Sequence, residues 1–134
     1  TAVVKKFAEQ ITENTVLVIE DDAKTREILS RTMAKAGWEV SEASNGREAL
    51  AKLDRGLPGL VMLDLMMPEM DGFEFMHEFR SRPDAANIPV IVVTAKDLTD
   101  SDREVLSGRV TQIIQKGSYR MEELVGEVKR FLPA

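Results

Sequence analysis

The chain has 134 residues, enough for one domain around a single core. Hydrophobic residues make up 43% and charged residues 31%, and the net charge of −5 argues against general nucleic-acid binding. There is no cysteine, which excludes disulfides and thiolate metal sites, and no apolar run approaches the roughly 20 residues that span a bilayer.

Residues 1–13 stand apart from the rest. Val3, Val4, Phe7 and Ile11 keep helical spacing, which predicts a short amphipathic helix docked on the domain or on a neighbouring chain, or else the tail of an upstream linker. The opening residues carry no apolar signal core, so a cytoplasmic location is the default expectation. The domain proper is predicted over 14–134, and Thr1 in first place favours a piece of a longer protein. A strand is predicted over 15–20, running into Glu20, Asp21 and Asp22. A helix follows over 24–37, with Ile28, Leu29, Thr32 and Met33 on one face and Gly37 as its stop. Residues 38–42 form a weak strand opened by Trp38, and 46–55 a helix ended by Gly56. The strand over 59–64 is apolar until Asp64 ends it. Pro68 and Gly72 punctuate a turn before a helix over 71–81, capped by Asp71, with Phe73, Met76 and Phe79 on one face. His77, the only histidine, points away from that face and reads as a surface residue. A strand over 89–94 runs into Thr94-Ala95, and a short helix over 99–107 ends at Gly108. A strand over 110–115 runs into Lys116, and a helix over 119–132 closes the chain.

Five β-α units in strict alternation predict an α/β fold, a doubly wound parallel sheet covered on both faces. In such a sheet ligands bind at the carboxyl ends of the strands. That edge would gather Glu20, Asp21, Asp64, Thr94 and Lys116. Two carboxylates ~4 Å apart repel by ~4 kcal/mol at an effective dielectric near 20, so a proton or a cation must sit among them. An all-oxygen cluster with room for water suits Mg²⁺. Lys116 supplies a point charge for a phosphoryl oxygen, and Thr94 a hydroxyl. Asp64 is the predicted nucleophile, since carboxylates form aspartyl-phosphates. Asp22 reads as a solvated helix-entry acid. Met62, Met66, Met67, Met70 and Met76 read as core or loop fillers, and Met66 is also placed to screen a phosphoryl group from water. The dispersed Lys and Arg residues read as solvated faces.

The sequence resembles the receiver domain of two-component response regulators over about residues 15–132. Glu20 and Asp21 match the family's acid pair, Asp64 its phosphoacceptor, and Met67 to Gly72 its Met-Pro-x-Met-Asp-Gly run. Thr94-Ala95 matches its switch hydroxyl with a small neighbour, and Lys116 its lysine. The resemblance implies a flavodoxin-like five-stranded sheet in the order 2-1-3-4-5 with five helices, an order carried over from the family. It implies phosphotransfer from a histidine kinase or histidine phosphotransfer domain onto Asp64. It also implies Mg²⁺ held by Asp21, Asp64 and the Met66 backbone carbonyl, with Glu20 acting through water. Thr94 and Lys116 would then pair with the phosphoryl group, and a phosphorylation-dependent dimer is among the expected outcomes. No membrane or nucleic-acid partner is expected within these residues. The stretch from Leu98 through Gly117 resembles receivers fused to hybrid sensor histidine kinases. Two positions depart from the family. Gly117 stands where proline usually follows the lysine, and Ile113 where the switch aromatic usually lies. The same residues bear on two other functions. A Mg²⁺-dependent aspartyl hydrolase typically needs a second Asp two residues after the nucleophile, where this chain has Met66. A phosphate-free interaction module would typically have lost an acid, the threonine or the lysine, and all are present.

Overall fold

A computed structural model describes residues 15–67, 70–85, 87–94, 98–108, 110 and 112–115. The helices expected over 1–13 and 119–132, and Lys116 between them, lie outside the described residues. The elements run β1 (Thr15–Ile19), α1 (Ala23–Lys35), β2 (Glu39–Ala43), α2 (Gly46–Leu53) and β3 (Leu60–Leu63). They continue with α3 (Gly72–Arg80), a 3₁₀ turn (Pro83–Ala85), β4 (Val90–Thr94), α4 (Asp100–Leu106) and β5 (Gln112–Gln115). All strand pairs are parallel, and their order is β2-β1-β3-β4-β5. This is the expected doubly wound, flavodoxin-like arrangement.

The strands read as they do because of where they sit. β3 and β4 are buried throughout, and β1 after Thr15. Parallel strands covered on both faces need apolar side chains on both. β2 lies at the edge and alternates exposed with half-buried residues before reaching buried Ala43, which explains its weak apolar signal. Alternate strand residues supply two separate cores. Leu17, Ile19, Val61, Leu63, Val90 and Val92 pack with Ala49 and Leu53 of α2, Phe75, Met76 and Phe79 of α3, and Leu106 of α4. Val16, Val18, Leu60, Met62, Ile91, Val93 and Ile114 pack on the other face with Leu29 and Met33 of α1 and with Trp38.

Every described α-helix starts on a side-chain cap. Asp22, Asn45, Asp71 and Thr99 accept from the backbone N–H groups of Thr25, Glu48, Glu74 and Asp102. Asp22 and Asp71 therefore do the local work expected of them. α1 stops at Lys35, and Gly37 then takes φ 97°, a left-handed turn that favours glycine. One face needs correcting. Phe75 is fully buried, whereas Phe73 is half-buried at the margin. Gly72, Phe75, Met76 and Phe79 follow the i, i+3, i+4, i+7 rule, and the sheet covers that stripe rather than one through Phe73. On the outer strand, Lys52 of α2 donates through Nζ to the backbone carbonyl of Glu42 in β2.

Candidate metal centre

β1 and β3 are neighbours in register, with Ile19 opposite Leu63. The residues that follow each strand therefore emerge side by side. The Asp64 amide donates to the Ile19 carbonyl at 3.0 Å, and the Glu20 amide to the Ala43 carbonyl of β2 at 3.0 Å. These bonds carry the sheet one residue past the end of its strands. Glu20, Asp21 and Asp64 each bring one carboxylate oxygen to within 4.8 Å of the others. Glu20 is 1% exposed and Asp64 5%, while Asp21 is open to solvent.

Two buried carboxylates beside a third acid are costly unless donors or a cation answer them. Some donors are built in. The Met66 amide donates to Asp64 Oδ1 at 3.1 Å, and the Asp22 amide to Glu20 Oε2 at 3.3 Å. Arg26 reaches back from α1 and donates from Nη1 to the Glu20 carbonyl at 2.8 Å, while its Nε lies 3.8 Å from Glu42 Oε2. This half-buried arginine had read as part of a solvated face. Its place in the helix says nothing of its reach to a strand-end carbonyl. The donor set is all oxygen and its acids converge, which fits a hard divalent cation such as Mg²⁺.

Thr94 closes β4 and is fully buried. Leu63 pairs with Val92, so Thr94 comes out at the same edge as Asp64. Thr94 pairs in turn with Gln115 of β5, after which Lys116 leaves the described residues. Ile113 is half-buried against the core that holds Val92 and Leu106. Beside Asp21 lies an open cleft of about 540 Å³, lined also by Leu65, Met66, Met67, Asp71, Phe73 and Asp102. Met66 is 54% exposed there, so of the methionines read as fillers it is the one turned to solvent. Asp102 belongs to the capping box of α4. Its place in the cleft follows from how α4 lies over the sheet, which no local pattern reports.

Gly72 locks the start of the loop that follows Asp64. Its amide donates to the Leu65 carbonyl at 3.1 Å. A Cβ at this position would lie 2.6 Å from Leu65 Cα, 2.7 Å from Leu65 Cδ2 and 2.8 Å from the Asp64 carbonyl oxygen. Two of these atoms are backbone, so the loop itself would have to move. Gly72→Ala is expected to destabilise the fold by roughly 1–3 kcal/mol, the range for overpacking a close contact. Urea unfolding checks this; an unchanged midpoint would show that the loop gives way freely.

The chain is thus a parallel, doubly wound domain with acids and a buried threonine on its carboxyl edge. Residues 16–129 match the family model of the response regulator receiver domain. The chain belongs to that family. It is 34% identical over 117 residues to the response regulator MprA of Mycolicibacterium vanbaalenii, covering 87% of this chain and 49% of that one. It thus spans about half the length of the curated relatives it matches first. It is also similar to the signal receiver domain of a signal transduction histidine kinase from Syntrophus aciditrophicus. There the TM-score is 0.74 and the identity 30%, with 89% of each chain covered. A third likeness is to the response regulator TrrA from Thermotoga maritima in complex with Mg²⁺-BeF. That match has a TM-score of 0.71 at 32% identity and covers 87% of this chain and 97% of that one.

Proposed function

We propose that this receiver domain is the phosphoacceptor of a two-component phosphorelay, with Asp64 as the residue that is phosphorylated. The observation that carries this is the meeting of Glu20, Asp21 and Asp64 within 4.8 Å at the edge where Thr94 also emerges. An Asp64 carboxylate oxygen attacks the phosphorus of a phosphohistidine on a kinase or phosphotransfer domain. The new O–P bond forms as the P–N bond breaks, and the imidazole nitrogen keeps the electron pair and takes up a proton. Asp21, Asp64 and the Met66 carbonyl are the groups that would hold Mg²⁺, with Glu20 helping through water. The ion, when bound, neutralises charge on the transferring phosphoryl oxygens. Thr94 donates its hydroxyl to one of those oxygens and Lys116 pairs with another. The Mg²⁺-BeF complex of the Thermotoga receiver supports this assignment. The likeness to a receiver of a histidine kinase supports an origin in a hybrid kinase. No helix among the described residues is long and apolar enough to cross a membrane.

The reading is tested with acetyl phosphate as donor and Mg²⁺ present. One phosphoryl group should be added, and peptide mapping should place it on Asp64. Labelling that ignores Mg²⁺, or that falls elsewhere, would reject the assignment. The two exposed acids after β1 should also separate. Asp21 sits in the cluster, whereas Asp22 accepts at 2.9 Å from the Thr25 amide as a helix cap. In a Mg²⁺ titration by calorimetry, Asp21→Ala should lose most of the affinity. Asp22→Ala should keep most of it and instead lose ~1 kcal/mol of stability, the usual worth of a cap. Equal losses of affinity in the two variants would contradict this division.

A further inference from the structure

The Met66 side chain takes no part in the phosphotransfer scheme. Met33, Met62, Met67 and Met76 are buried, and Met70 is half-buried. Met66 alone among the six described methionines is largely exposed. It lines the open cleft with Asp21, and its amide is bonded to Asp64 Oδ1 at 3.1 Å. A thioether in bulk contact with solvent meets oxidants directly, whereas the buried ones wait for the fold to open.

We infer that Met66 is an oxidation site at which peroxide-class oxidants shorten the lifetime of the phosphoryl group on Asp64. The inference rests on the assignment of Asp64 as phosphoacceptor. In the step itself a sulfur lone pair attacks one peroxide oxygen. The S–O bond forms, the O–O bond breaks, and the second oxygen takes the proton of the transferred one and leaves as water. The thioether becomes a sulfoxide and hydrogen peroxide is reduced. The chemical change matters because of its place. A thioether is a weak acceptor and holds water poorly. A sulfoxide oxygen is a strong acceptor, and here it would stand two residues from the phosphorylated carboxylate. It can orient a water for attack on phosphorus, which no group on the native Met66 side chain does. Because sulfoxide reduction restores methionine, the effect is reversible.

The experiment uses limited hydrogen peroxide on the intact domain. Peptide mass spectrometry should find the first added oxygen on Met66, ahead of the other five described methionines, with the thermal melt still cooperative. The oxidised domain is then loaded with acetyl phosphate and Mg²⁺, the donor is removed, and phosphate loss is followed by intact mass. The half-life should fall several-fold and return after treatment with methionine sulfoxide reductase. Met66→Leu should show the same half-life before and after peroxide. Met66→Gln, a polar stand-in for the sulfoxide, should show a shortened half-life without any oxidant. Oxidation of a buried methionine at an equal rate would overturn the inference, as would an unchanged half-life once Met66 is oxidised. A domain that takes no phosphate before peroxide is added would instead mark failure of the Asp64 assignment, and the inference would fall with it.

Discussion

Asp64→Asn is expected to take up no phosphoryl group above background from acetyl phosphate, while folding as the parent domain does. The amide has nearly the shape of the carboxylate and can still accept the Met66 N–H through its carbonyl oxygen. What disappears is an anionic oxygen to attack phosphorus. One charge of the three acids disappears as well. Like charges at ~4 Å cost ~4 kcal/mol at an effective dielectric near 20, so relieving one repulsion offsets any loss of hydrogen bonding. The melting temperature should therefore hold or rise even as labelling vanishes. Intact mass and thermal melts on the same preparation give both readings. Labelling at the parent level would remove Asp64 from the mechanism. Lost labelling with a collapsed melt would show that the acid matters to the fold first.

Phe75→Ala is expected to cost about 3–5 kcal/mol of stability, the usual range for deleting a buried aromatic ring. Phe75 is fully buried and stacks on Phe79, with ring centroids 5.4 Å apart and planes 18° from parallel. The Arg80 guanidinium lies over the Phe79 ring at 5.1 Å. Removing Phe75 leaves the inner ring without its neighbour under α3. Since single domains are stable by about 5–15 kcal/mol, this change alone could unfold a large share of molecules at body temperature. Denaturant unfolding measures the loss. Phe73→Ala, on the same helix but half-buried, is the internal control and should cost clearly less. A reversal of that order would restore the stripe through Phe73 that the spacing suggested.

The contrast between those two phenylalanines shows what sequence patterns can and cannot carry. Fully buried parallel strands leave unbroken apolar runs, so 15–20, 59–64 and 89–94 announce themselves, each within a residue of its observed bounds at either end. Polar residues that interrupt such runs at their ends are conspicuous, and Glu20, Asp21, Asp64 and Thr94 are of that kind. A helix face is decided by what lies beneath it. Phe73 and Phe75 satisfy local spacing about equally well, and only the sheet chooses. Arg26 and Asp102 were unreadable for a related reason. Each is one more charge on a helix until the packing of α1 and α4 brings it to Glu20 or to the cleft.

The bond from Lys52 to the Glu42 carbonyl has a consequence for how the protein behaves in company. β2 is the outer strand on its side of the sheet. An outer strand offers backbone acceptors on which another chain can begin to pair, and runaway growth of that kind ends in insoluble fibres. Here one such acceptor is already taken, and it is taken by an ammonium group. An approaching strand meets a positive charge before it meets the backbone. A charge so placed works against growth of the sheet at this edge.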